Sequence, residues 1–165
     1  MFEGKNYING NWDREIQGST TRIPFAEKLE TYTNVNPATG ESLGEFPITD
    51  KGTVDYAIGV ARSTFEKWKR LSRFVRSDYM NRVAQIIERI AEVNEALHMA
   101  QFTFGSGRYS HGEIVASEIA EKDSYMLRKP KGVIAIVTPF NFPLAIGMFW
   151  NAAPAIVEGN TVVIK

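Results

Sequence analysis

Residues 132–157 carry not one charged side chain, in a sequence where Asp, Glu, Lys and Arg make up 23% of residues. A run of that length must be buried in protein, sunk in a membrane or left to aggregate. Its punctuation chooses among these. The β-branched run 133–137 suits a strand covered on both faces of a parallel sheet. The turn Thr138-Pro139-Phe140-Asn141 follows, and from Pro143 the pattern predicts a helix of roughly four turns, with Pro near the first position where no amide partner is lost. Gly159-Asn160 reads as the helix C-terminal signal, because both residues tolerate the left-handed conformation that ends helices. A second β-branched run, 161–164, completes a right-handed βαβ unit. Its loop and helix N-terminus form an anion-friendly crevice at the carboxyl end of the first strand. A membrane-spanning helix is the competing reading, and Pro139, Pro143, Pro154, Asn141 and Asn151 weigh against it.

Two separated blocks in this stretch, Pro139-Phe140-Asn141-Phe142-Pro143 and Gly159-Asn160-Thr161-Val162-Val163-Ile164-Lys165, resemble the cofactor-binding βαβ unit of the aldehyde dehydrogenase superfamily. The resemblance implies an α/β fold, the N-terminal part of a Rossmann-like dinucleotide-binding domain, with NAD or NADP as cofactor. Phe140 stands where Trp is common in the family. The spacing from Asn141 to Lys165 is one residue longer than the usual family pattern.

The preceding sequence agrees in class. Tyr7-Ile8-Asn9-Gly10-Asn11-Trp12 predicts a β-hairpin closed by an Asn-Gly turn. Residues 33–37 read as extended, and Asn36-Pro37-Ala38-Thr39-Gly40-Glu41 as a turn before a strand over 42–46. Both pieces also look like the opening of an aldehyde dehydrogenase. Candidate caps at Thr49-Asp50-Lys51-Gly52 introduce a helix over 53–71, with Val54, Ile58, Ala61, Phe65 and Trp68 on its apolar stripe. A second helix begins near Ser77-Asp78 and carries Met80, Val83, Ile86, Ile87 and Ile90. Family members then carry a further stretch of about twenty residues with a Thr-Glu-x-Gly-Lys-like segment. Here 89–94 runs straight on, so either two helices fuse into one or a segment is missing. A helix resumes over 93–104 and stops at Gly105-Ser106-Gly107. Residues 117–131 alternate weakly and read as strands; in the family the matching region makes subunit contacts, which implies a homo-oligomer.

Composition excludes several functions. Lys plus Arg and Asp plus Glu number 19 each, and no basic face suggests nucleic acid. There is no cysteine, which rules out disulfides and thiolate metal sites and fits a reducing compartment. His98 and His111 are the only histidines, without an acidic cluster at ligand spacing, so no metal site is expected. The N-terminus lacks a secretory pattern and suggests a cytoplasmic protein.

The family's chemistry oxidises an aldehyde to a carboxylic acid with a thiolate nucleophile, an oxyanion donor, a hydride acceptor and a base. By resemblance Asn141 is the catalytic oxyanion donor, although an Asn before a Pro also serves as a helix cap. Thr138, Pro139, Phe140 and Asn141 line the cofactor crevice, and Lys165 binds the adenosine ribose. The catalytic Cys and base have no counterpart in residues 1–165. The chain therefore reads as a partial N-terminal, dinucleotide-binding domain, shortened near 90–92 and inactive alone. The alternative is a non-catalytic association module of the same family.

Overall fold

The computed structural model describes residues 2–12, 30–90, 94–109, 112–139, 141–142 and 144–165. His111, Phe140, Pro143 and the 91–93 junction, singled out above, lie outside them. The chain divides into two compact units, Met1–Val60 and Ala61–Lys165.

In the first unit β1 (Phe2–Glu3) pairs in parallel with β5 (Ser42–Pro47), which pairs antiparallel with β4 (Thr31–Val35). Strands β2 (Tyr7–Ile8) and β3 (Asn11–Trp12) form the expected hairpin. Asn9 and Gly10 both take positive φ, 54° and 80°, as a mirror-image two-residue turn requires. Tyr7 and Trp12 face each other across it with ring centroids 4.8 Å apart. The Asn36–Glu41 turn is closed by Gly40 N–H to the Asn36 carbonyl at 2.7 Å and Asn36 N–H to the Glu41 carbonyl at 2.8 Å. Helix α1 (Lys51–Trp68) starts where Asp50 Oδ1 accepts the Thr53 amide at 2.7 Å, so of the four candidate caps Asp50 is the one that acts.

The second unit holds the core. Helix α2 (Arg73–Ile90) begins at Arg73, four residues before the Ser77-Asp78 start expected from sequence. Ser72 is the cap, its Oγ accepting the Val75 amide at 3.2 Å, and Ser77 is instead buried inside the helix with its hydroxyl on the Phe74 carbonyl. Helix α3 (Asn94–Ser106) packs back along α2. Its far end returns to the α2 start, where Arg108 pairs with Asp78 and lies over the Phe74 and Phe104 rings. This overturns the single fused helix: α2 and α3 are separate and antiparallel. Ala84, Ala96 and Ala100 lie in one buried cluster with Met80, and these small residues let the two backbones approach closely. The larger stripe residues are less deeply set. Val54, Ile58 and Ile86 are 39%, 43% and 58% exposed, so of the expected α1 stripe only Ala61 is buried.

Strands β6 (Gly112–Val115) and β7 (Ser124–Leu127) form an antiparallel pair with Ile114 opposite Tyr125. Only β7 falls within the 117–131 stretch read as strands; its partner precedes it, and Pro130 lies past its end. Strands β8 (Val133–Ile136) and β9 (Thr161–Ile164) are parallel and in register, Val133 opposite Thr161 and Ile136 opposite Ile164. The connection between them is helical, as expected, but not one α-helix. Ala145–Ala152 is a π-helix and α4 (Ala153–Val157) continues it. Pro154 is one cause: without an N–H it cannot donate to the carbonyl of residue 150, so the α ladder is broken there. Phe149, 4% exposed, anchors this segment in the core with Ala145, Ala153 and Val157; its burial stabilises the unit by about 2–3 kcal/mol.

Candidate functional site

The carboxyl ends of β8 and β9 lie side by side because their ladder runs past the strands. Lys165 N–H donates to the Ile136 carbonyl at 2.9 Å, and Thr138 N–H donates to the Lys165 carbonyl at 3.2 Å. Residues 27 positions apart in sequence are thereby fixed as neighbours. Thr138 is half-buried, and its methyl and hydroxyl lie 3.5 Å from where a Cβ on Gly147 would stand. The loop end thus rests on the first turns of the π segment. Pro139, Asn141 and Lys165 are exposed.

The capping role open to Asn141 is not what the structure shows. Leu144 occupies the N-cap position, with no side-chain cap hydrogen bond. Phe142, between them, takes φ +60°, a left-handed conformation that costs a bulky residue about 1–2 kcal/mol. Its carbonyl accepts the Ile146 amide at 3.1 Å. This turn re-aims the chain between the loop and the helix and leaves Asn141 on the solvent side. Of the five sequence-derived site residues, Thr138 and Lys165 are bonded to each other, Pro139 and Asn141 follow Thr138 in the same loop, and Phe140 is outside the described residues. Among the described residues no three of His, Asp and Glu come together as a metal site, and no helix is long and apolar enough to cross a membrane.

The opposite end of the βαβ unit is a rigid knot that sequence reading undervalued. Asn160, 8% exposed, uses both ends of its carboxamide: Oδ1 accepts the Lys131 and Gly132 amides at 2.6 and 3.0 Å, and Nδ2 donates to the Ala155 carbonyl at 3.0 Å. Gly159 supplies the left-handed turn, φ 95°, and faces the Arg76 guanidinium. Arg76 Nε donates to the Val157 carbonyl at 2.8 Å and Trp68 Nε1 to the Ile156 carbonyl at 2.8 Å. Two side chains from α1 and α2 therefore donate to the last carbonyls of the helix: Arg76 to one that the helix end leaves open, and Trp68 to one that also accepts the Gly159 amide at 3.0 Å. Burial pushes the Arg76 guanidinium below its ordinary pKa, while Glu158 nearby opposes that shift. Arg73 pairs with Glu158 at the same corner, and Thr161 Oγ1 donates to the Ala61 carbonyl at 2.9 Å. The local signal in sequence was only Gly-Asn after an apolar run; the Arg and Trp donors come from 80 or more residues away.

The architecture is Rossmann-like: a parallel strand pair, a helical crossover, and a polar loop at the strands' carboxyl ends. The chain belongs to the aldehyde dehydrogenase family, whose profile matches residues 25–92 and 88–165. Malonate-semialdehyde dehydrogenase 1 of Geobacillus kaustophilus is 32% identical over 98% of this chain and 35% of its own length. Among solved structures, an NAD-dependent benzaldehyde dehydrogenase from Corynebacterium glutamicum is 25% identical with a TM-score of 0.74, covering 97% of this chain and 37% of that one. PnpE in complex with nicotinamide adenine dinucleotide gives 0.79 at 24% identity, over 99% of this chain and 35% of that one. The chain thus spans about a third of the length of the relatives it matches. The family match breaks at 88–92, where α2 meets α3. The alignment to the Geobacillus enzyme is 181 residues long against about 162 residues of this chain, which leaves room for the stretch expected to be missing at that junction.

Proposed function

We propose that this chain supplies the dinucleotide-side crevice of an NAD- or NADP-dependent aldehyde dehydrogenase that oxidises an aldehyde to a carboxylic acid. The observation that carries the reading is the pairing of Thr138 with Lys165, which sets a cation beside the loop of Asn141 at the carboxyl end of two parallel strands. The donor set suits a phosphate-bearing ligand: a hydroxyl, a carboxamide and an ammonium, with no carboxylate anywhere from 132 to 157. When bound, the dinucleotide would serve as hydride acceptor. Lys165 would hold its ribose, Thr138, Pro139 and Phe140 would line the cleft, and the Asn141 amide would donate to the oxyanion of a substrate carbonyl. A thiolate must come from outside this sequence, which has no cysteine, so the chain alone should bind without oxidising. It would work in a reducing, cytoplasmic setting.

A second reading rests on the β6–β7 pair. Ile114, Tyr125 and Leu127 are 80%, 64% and 71% exposed, and such apolar exposure favours association with another subunit. On this reading residues 117–131 belong to a contact surface, and the chain is an oligomerisation module.

A thermal melt with NAD⁺ and NADP⁺ separates the two. A ligand present at a hundred times its dissociation constant adds about 2.7 kcal/mol, so an upward shift supports the crevice. A cooperative melt unmoved by either nucleotide, in a chain that sediments as an oligomer, supports the module.

A further inference from the structure

Ala145, Phe149, Ala153 and Val157 are each 4% exposed or less, and they recur every four residues along the crossover. A four-residue repeat drifts about 40° per step on an α-helix and would carry Val157 about 120° from Ala145. Wide i to i−5 turns of about 4.4 residues drift the other way by a similar amount. A helix that is part π and part α therefore keeps all four on one face, and the structure has that form, Ala145–Ala152 followed by Ala153–Val157. Asn151 clamps the wide register. Its Nδ2 donates to the Ile146 carbonyl, five residues back, at 2.8 Å, and Ala153 N–H donates to the Met148 carbonyl with the same offset.

The two ends of this helix are held unequally. At the C-terminal end the Ala155, Ile156 and Val157 carbonyls accept side-chain bonds from Asn160, Trp68 and Arg76. At the other end Leu144 has no side-chain cap and is 40% exposed, and Phe142 sits in a left-handed conformation. We propose that Ala145–Ala152 is a register switch, held in the π form by Asn151 and able to pass to α. With the far end pinned, that passage rotates the Leu144 end, carries Gly147 away from Thr138 and re-aims the loop of Asn141. The proposal goes beyond the dehydrogenase reading and does not depend on it.

Amide hydrogen exchange, followed by mass on the peptide covering 145–157 in the full 165-residue chain, tests the switch. Asn151→Ala removes one hydrogen bond from the π form and should speed exchange in that peptide about fivefold, with the α2 and α3 peptides unchanged. Deleting Asn151 puts Ala145, Phe149, Ala153 and Val157 at steps of four, three and four, an α pattern. That variant should fold and exchange no faster than the parent. Deleting Gln85, an exposed position of the all-α helix α2, is the comparison and should abolish folding. The proposal is overturned if the Asn151 deletion unfolds as the Gln85 deletion does. It is equally overturned if Asn151→Ala leaves the 145–157 peptide unchanged, or accelerates all peptides alike.

Discussion

The Thr138 amide donates to the Lys165 carbonyl at 3.2 Å, so the loop that leaves β8 and the residue that follows β9 are fixed to each other by backbone alone. Their side chains are free to vary without loosening that geometry. Lys165 is exposed, and replacing an exposed side chain outside any bonded network changes stability by about 0.5 kcal/mol or less. Lys165→Ala and Asn141→Ala should therefore melt close to the parent. The nucleotide-induced shift should vanish in Lys165→Ala and survive in Asn141→Ala, whose donor is assigned to the substrate oxyanion. Loss of the shift in neither variant would remove Lys165 from the binding role.

Arg76 is expected to matter for the fold and not for the ligand. Its Nε bond to the Val157 carbonyl is buried, and its Nη1 bonds the Leu71 carbonyl. Arg76→Met keeps the hydrocarbon stem but leaves two carbonyls without their donor, a loss of about 2–4 kcal/mol. For a chain of this size that lowers Tm by roughly 5–12 °C. Glu158→Gln removes the partly exposed charge that pairs with Arg73 and also acts on Arg76, a loss of about 1 kcal/mol or less. Denaturant melts of the two variants should rank them in that order, and a mild Arg76→Met would mean that water replaces the guanidinium at the helix end.

What sequence reading could and could not reach follows from the range of the forces involved. The hairpin was legible because Asn9-Gly10 is a local demand for positive φ. The parallel pair β8–β9 was legible because its β-branched runs flank an uncharged crossover. The α2 start was misread because Ser77-Asp78 and Ser72 offer the same capping chemistry, and tertiary burial of Ser77 decides between them. The π segment left a trace in the four-residue spacing of Ala145, Phe149, Ala153 and Val157, which a count of helical turns from Pro143 passes over. The extra residue noted between Asn141 and Lys165 is what a widened turn can absorb. The Trp68 and Arg76 bonds to the helix end left no trace at all, since a side chain's donation to a distant carbonyl has no sequence pattern.

Acid should reveal the α1 cap. The Thr53 amide, bonded to Asp50 Oδ1, holds the Asp50 carboxyl below its ordinary value of 3.8. A carboxyl lowered in the folded state stabilises the fold at pH above the unfolded value, and the gain is lost as pH falls through the folded one. The parent should thus be favoured over Asp50→Asn, which keeps the acceptor but not the charge, at neutral pH. The difference should shrink steadily below about pH 4. Parallel pH titrations of Tm for the two proteins measure this, and curves that stay a constant distance apart would assign the benefit to hydrogen-bond geometry and not to charge.

Two glycines at one helix end should respond with opposite signs. A Cβ on Gly107 would stand 2.5 Å from Ser77 Cβ and 2.8 Å from Val157 Cγ1, both buried where α3 meets α2 and the crossover helix. Neither neighbour can retreat, since Ser77 is fixed to the Phe74 carbonyl at 2.8 Å and Val157 is 1% exposed. Gly107→Ala should cost about 2–3 kcal/mol through overpacking. Gly105 lies inside α3 with nothing within 4 Å of its Cβ position, so Gly105→Ala should add about 0.5–1 kcal/mol by reducing the freedom of the unfolded chain. Urea melts of the two single variants would show it. A Gly107→Ala protein as stable as the parent would mean that α3 ends further from Val157 than the structure places it.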